Sequence, residues 1–255
     1  MFDESEEPHV LVCSEILGGN RKFIGTTKLP GMVAWVATFP IDEKRPGGDL
    51  HLMSACDYDL ISRVVLADVS GHGQEVEGAT TALLKLMRAN INVWDQSDFM
   101  RGLNDSFNRR GDGRYATAIV VSFHRVTGRL AFSNAGHLPP LWYHAVENVW
   151  EWLEESDPIP RMAFGLPVGL ISGTDYRQTI VAMNRSDLLL LYTDGVTDAE
   201  DETGKDLGRE QLLEWVSGGP AGGAPLVGRH LLRKLMEFRA SVQCDDETLM
   251  VLQRE

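Results

Sequence analysis

Five aspartates sit where apolar segments begin or end. Asp68 closes the run "VVLAD", and Asp194 follows "LLLLYT" and precedes Gly195. Asp245 and Asp246 stand directly before "ETLMVL", and Asp49 follows Gly47 and Gly48. A carboxylate at the end of a buried strand is costly unless a donor, a basic group or a metal ion meets it. Acids at the ends of several core strands can converge on one edge of a sheet, where a hard divalent cation neutralises them. No CxxC pair and no histidine pair at ligand spacing accompanies them. The donors are all oxygen, which favours Mg²⁺ or Mn²⁺ over Zn²⁺. Taken singly, an Asp-Gly after a strand is usually a turn. Spacing alone does not bring the acids together, so these residues lead to an acidic divalent-metal site and no further.

The rest of the composition narrows the classes. A formal charge of -13 over 255 residues argues against nonspecific binding to nucleic acid or to an anionic membrane. Cys13, Cys56 and Cys244 are odd in number and far apart, a pattern of thiols in a reducing compartment rather than a disulfide framework. The opening "MFDESEEPHV" is acidic where a signal peptide would be basic and then apolar. No apolar run approaches the ~18 residues of a membrane helix. The expected setting is cytoplasmic.

Residues 1–20 read as a tail or weak first element of one domain spanning 1–255. "MVAWVATFP" reads as a strand, "IDEKRPGGD" as a loop and "LISRVVLADV" as a strand. From Glu75 to Trp94 the spacing of Ala79, Ala82, Leu83, Leu86 and Met87 is helical. Ser97 or Asp98 is placed to cap a second helix running through Phe107. "YATAIVVSFHRVTGRLAFSNAGH" alternates around Thr127-Gly128 as a hairpin, and "LWYHA" with "VWEWL" forms another pair. Strands over "RQTIVAM" and "DLLLLYTDG", helices over Arg209 to Val216 and Leu226 to Ala240, and a last strand over Thr248 to Arg254 complete the reading. Strands in a long run between helical blocks predict an α+β layered domain with antiparallel sheets, not a doubly wound fold.

Six motifs occur in order: "GGD" (47–49), "LADVSGHG" (66–73), "YATAIVV" (115–121), "SNAGHLPP" (133–140), "LYTDGVTDA" (191–199) and "DDETLMVL" (245–252). Together they resemble the bacterial PP2C-type serine/threonine phosphatases of the SpoIIE/RsbU-like branch. The resemblance implies a four-layer α-β-β-α sandwich with two Mn²⁺ or Mg²⁺ ions at one end. It implies Asp68 bridging the ions, the Val69 carbonyl as a further ligand, Asp194 and Asp245 on one ion, and Asp49 bound directly or through water. Asp246 is the alternative if the register slips by one. A water between two cations, made a hydroxide near neutral pH, would attack the phosphorus in line.

The sequence departs from the pattern in places. Leu52 stands where the branch often has a second acid after the "GGD" aspartate. Ser70 aligns with the histidine of the larger relatives' Asp-Gly-His-Gly motif, and His72 falls two residues later, so either Ser70 or His72 could act as acid or shape the loop. Asp198 fits one position of a third metal site, whereas His137 replaces its other acid and is read as a local hydrogen-bonding group. The reading is a protein phosphatase acting on phosphoserine or phosphothreonine of a bacterial regulatory protein such as a STAS-type anti-sigma-factor antagonist. At this length, control is expected from a separate partner, a homodimer or expression level, and the helix from Glu75 to Trp94 is the element through which a partner would act. A non-catalytic module of the same fold and a small-molecule phosphoesterase are the rivals.

Overall fold

Strands whose two faces are both apolar need a cover on each side, and the chain supplies two sheets and two helical layers. The computed structural model describes residues 7–56, 58–71, 74–93, 95–153, 165–239 and 243–255. In chain order the elements are β1 (His9–Val10), β2 (Ile16–Gly19), β3 (Phe23–Leu29), β4 (Met32–Phe39), β5 (Asp49–Cys56) and β6 (Ile61–Val69). Then come α1 (Gln74–Asn90), α2 (Gln96–Asn108), β7 (Ala116–His124), β8 (Arg129–Ala135), β9 (Leu141–His144) and β10 (Val149–Trp152). The chain continues through β11 (Thr179–Ala182), β12 (Leu188–Tyr192), α3 (Asp194–Thr197), α4 (Gly208–Ser217), α5 (Ala224–Phe238) and β13 (Glu247–Arg254).

One sheet runs β1-β3-β4-β13-β12-β9-β10 and the other β11-β8-β7-β6-β5-β2. Among the described residues every ladder is antiparallel except the two-residue β1–β3 pair. The period of two sets the layers. On β6, Val64 and Leu66 join the core between the sheets, while Val65, Ala67 and Val69 face α1 and α2. On β12, Leu189 and Leu191 point inward, and Leu188, Leu190 and Tyr192 meet the other helical layer. There α5 lies on β4 and β13, and α4 packs on β10. This is the four-layer α-β-β-α sandwich expected.

Several local expectations change. The segment read as a tail or weak first element supplies β1 and β2, and β2 is an edge strand of the six-stranded sheet. β3 and β5 were not foreseen: "FIGTTKL" is broken by glycine and threonine, and "DLHLMSAC" is buried on both faces and its alternation breaks at Leu52–Met53. Asp95, not Ser97 or Asp98, caps α2, its carboxylate accepting from the Asp98 amide at 3.0 Å. Asp194 does not end a strand but opens α3, after β12 has stopped at Tyr192.

Close packing of α5 on the sheet depends on a missing side chain. A Cβ at Gly228 would lie 2.0 Å from Cε3 of buried Trp35 on β4. Alanine normally helps a helix interior by about 1 kcal/mol over glycine. Here overpacking should outweigh that gain, so Gly228→Ala should lower unfolding free energy by about 1–3 kcal/mol. Gly102→Ala on α2, where a Cβ meets nothing within 4 Å, should instead raise it by roughly 0.5–1 kcal/mol. Urea denaturation of both variants checks the pair; stabilisation by Gly228→Ala would contradict the packing described.

Candidate metal centre

The register of the six-stranded sheet pairs Asp49 on β5 with Asp68 on β6. Asp49 shares the alternation of Met53 and Ala55, and Asp68 that of Val64 and Leu66, which places both carboxylates on the face turned toward the other sheet. That sheet answers with hydroxyls. Thr193 Oγ1 and Thr248 Oγ1 each donate to Asp49 Oδ2 at 2.7 Å. Thr248 continues to Thr38, whose hydroxyl meets Nδ1 of His51 at 3.2 Å. Burial, then the charge of Asp68, raises the Asp49 carboxyl well above its ordinary range, against the pull of the two threonines.

Asp68 is the centre of the group. Burial first, then repulsion from Asp194, Asp245 and Asp246, pushes its carboxyl up to about 7. Asp194, exposed at the first position of α3, is also raised, by burial of its inner side and by Asp198. Gly195 lets α3 approach the last strand: a Cβ there would lie 2.0 Å from the Asp246 carbonyl oxygen and 3.3 Å from Asp245 Cβ.

The adjacent acids Asp245 and Asp246 do different work. Asp246 is buried, and its two oxygens accept the amides of Ile41, at 2.7 Å, and Gly48. It thereby ties the β4–β5 loop to β13. Asp245 is half-buried and takes the Asp246 amide on Oδ1 at 2.8 Å. Beside them Gly48 leaves a small oxygen-lined space. A Cβ at that position would stand 3.2 Å from the Val69 carbonyl oxygen, 3.3 Å from Asp246 Oδ2 and 3.5 Å from Asp68 Oδ1. Two carboxylate oxygens and a carbonyl oxygen thus face one point, from the end of β6 and from the turn before β13. Among the described residues, no three His, Cys, Asp or Glu side chains are already drawn in as a formed coordination shell.

The remaining sequence candidates are placed as follows. Ser70 is stitched to the start of β7, with its amide donating to the Tyr115 carbonyl at 2.9 Å and its Oγ accepting the Tyr115 amide at 3.2 Å. His72 lies outside the described residues. Asp198 is exposed, accepts from the Thr197 hydroxyl at 3.3 Å and sends its own amide to the Asp194 carbonyl. His137 is buried, with Nδ1 2.9 Å from Thr117 Oγ1; Thr117 is the β7 register partner of Asp68. Burial lowers the His137 pKa to about 4, so it stays neutral at pH 7.

Sequence reading overlooked Arg114. Its Nη1 donates to the Ser70 carbonyl at 2.8 Å and lies over Gly71, where φ is +96° and a Cβ would be 2.3 Å away. The available signal was the loop "RRGDGR", which ends one residue before β7 and whose glycines mask its return to the Asp68 loop. Lys44 and Arg45 belong to the loop that Asp246 holds.

Comparison with known proteins shows the family of the chain. A family model described as stage II sporulation protein E (SpoIIE) matches residues 62–255. The chain is 25% identical over 247 residues to the phosphoserine phosphatase RsbU of Bacillus subtilis (strain 168), covering 94% of this chain and 70% of that protein. Its fold matches the RsbU and RsbW domains of Rv1364c from Mycobacterium tuberculosis with a TM-score of 0.76 at 22% identity, over 100% of this chain and 64% of that one. The PP2C phosphatase domain of SpoIIE from Bacillus subtilis, solved with a fragment of its regulatory domain, matches with a TM-score of 0.68 at 17% identity, over 87% of this chain and 61% of that one. With Asp68, Asp194 and the paired acids before β13 all inside the matched stretch, the chain belongs to the SpoIIE family of PP2C-type domains.

Proposed function

We propose that this chain is a metal-dependent serine/threonine phosphatase that uses two Mn²⁺ or Mg²⁺ ions and acts on a phosphorylated regulatory protein. The observation that carries this reading is Asp68, a largely buried carboxylate that feels the charge of four other acids, Asp49, Asp194, Asp245 and Asp246. An all-oxygen set around a space of atomic size fits hard divalent cations. Such ions, when bound, lower the pKa of water and offset charge on phosphoryl oxygens.

The chain's own residues divide the remaining tasks. Asp68 stands between the two groups of acids, with the Val69 carbonyl beside it. Asp194 and Asp245 supply charge on the open side. Asp49 is held in one orientation by Thr193 and Thr248, which suits a ligand acting directly or through water. Asp246, with both oxygens given to backbone amides, braces the loop, which favours Asp245 as the ligand. Ser70, bonded to β7, shapes the loop; Asp198 is the remaining acid for a third ion. The exposure of Asp194 and Asp198 suits a phosphoserine carried on a folded protein. By family resemblance that protein is a STAS-type anti-sigma-factor antagonist. A cytoplasmic setting accords with the phosphoserine phosphatase relative, and among the described residues no helix is long and apolar enough to cross a membrane.

Asp194→Asn should abolish Mn²⁺-dependent hydrolysis of p-nitrophenyl phosphate and of a phosphoserine protein while leaving the melting temperature nearly unchanged, since one charge leaves and the shape stays. EDTA should do the same reversibly, and full activity in excess EDTA would end the metal-dependent reading.

The pH dependence gives a second check. With its pKa raised from about 4 to about 7, Asp68 keeps a proton in the folded chain that the unfolded chain has lost. Without metal, its contribution to stability therefore falls as pH rises from about 4 to about 7. Buried His51 and His137, each lowered to about 4, push the other way and cancel when two variants are compared. Asp68→Asn should accordingly gain in melting temperature over the parent as pH rises through this window in EDTA. The gain should shrink when Mn²⁺ is added. A difference that is flat in pH and indifferent to Mn²⁺ would refute the role given to Asp68.

A further inference from the structure

The six-stranded sheet has a second concave site at its other end. The helices α1 and α2 cover its outer face near Asp68, and beyond them the face opens into a cleft of about 540 Å³. Two cross-strand rows form its floor: Cys56, Ile61, His124 and Arg129, then Arg63, Ser122, Ala131 and Ile180. Ile91 and Asn92, after the end of α1, and Gln96, at the start of α2, wall it. Arg63 and Asp68 are five residues apart on β6, roughly 17 Å. An occupant of this cleft is therefore not at the acidic site.

Its chemistry is the reverse of the acidic end. No aspartate or glutamate is among the described residues that line it, whereas Arg63, Arg129 and His124 do. Arg63 is 3% exposed and already clamps the end of α1, with Nη1 donating to the carbonyls of Ile91 and Val93 at 2.6 Å and Nε to Ser122 at 3.1 Å. It is thus a fixed positive charge at the floor of the cleft. Arg129 is exposed at the mouth. Gln96 is 1% exposed, its Nε2 is given to the Ala131 carbonyl at 3.1 Å, and its Oε1 has no hydrogen-bond partner. A buried amide oxygen in that state costs about 1–3 kcal/mol, which a donor in the cleft would recover once the Gln96 amide turns toward it. Ile61, Ile91 and Ile180 supply apolar walls. The volume is in the range of small-molecule sites, which combine apolar walls with a few placed polar groups.

We propose that this cleft binds a small nucleotide. Its base, carrying an N–H donor, lies against the isoleucines with Gln96 Oε1 as acceptor. Its phosphate sits at the mouth by Arg129, in the positive field of Arg63.

Cys56 reports on occupancy. Its thiol is in no disulfide, is half-buried and lines the cleft, whereas Cys13 and Cys244 are exposed and line none of it. The probe is AMP, with adenosine and ribose 5-phosphate as comparators lacking charge or base. Alkylation by iodoacetamide is followed at each cysteine by peptide mass spectrometry on the full chain, with and without Mn²⁺. AMP should slow modification of Cys56 saturably, by about tenfold at ten times its Kd, and leave Cys13 and Cys244 unchanged. Adenosine and ribose 5-phosphate should each protect less. Arg129→Glu should remove the protection while melting temperature and phosphatase rate stay at parental values, and Gln96→Met should weaken it. No Cys56-specific protection by AMP up to about 10 mM, the weak end of specific binding, would overturn the proposal. So would protection that survives Arg129→Glu, or that adenosine matches. Asp194→Asn should still be protected by AMP, so loss of the phosphatase reading and loss of this site are separate outcomes.

Discussion

Several carboxylates held close together and partly out of water are the constraint on which the rest of this structure depends. Asp49 and Asp68 face each other across adjacent strands, and Asp194, Asp245 and Asp246 add to the charge on Asp68 or stand beside it. Like charges in a medium of low polarity repel strongly, and each has also lost water. The raised pKa values of Asp49, Asp68 and Asp194 record that cost. A protein keeps such an arrangement where a cation relieves it.

The frame around the acids is built to hold them there without that relief. Two threonine hydroxyls fix Asp49, and two backbone amides fix Asp246. Glycine at 48 and 195 removes side chains that would fill the oxygen-lined space or hold α3 away from β13. None of these contacts neutralises charge. They position oxygen atoms, and the double-faced apolar strands behind them supply the burial that stabilises the sandwich. The two neighbours Asp245 and Asp246 illustrate the division: one carboxylate is taken up by backbone amides, the other remains at the rim.

The six-stranded sheet carries opposite electrostatics at its two ends. β6 begins at the cleft floored by Arg63 and finishes at Val69, just past Asp68, and α1 starts beyond the Asp68 loop and stops just short of Ile91 on the cleft wall. A chain with an excess of thirteen negative charges thus concentrates acids where cations are expected and keeps the described lining of the distal cleft free of them.

Much of the fold was legible because the chain obeys simple periods. The hairpin around Gly128, the helical spacing from Ala79 to Met87 and the apolar runs before Asp68 and Asp194 each follow from local geometry, and six ordered motifs pointed to the family. β5 was missed because its alternation breaks midway in a strand buried on both faces, and β3 because glycine and threonines interrupt it. The sequence determined that Asp49, Asp68, Asp194 and the 245–246 pair stand at the ends of apolar segments, while the helix that Asp194 opens appeared only in the structure. Only the tertiary structure decided which oxygens are taken, since that depends on partners far away in the chain: Thr193 and Thr248 for Asp49, Ile41 and Gly48 for Asp246. Arg114 over Gly71, and Gln96 with its unmet oxygen, were equally invisible, because a hydrogen bond between distant residues leaves no local pattern to read.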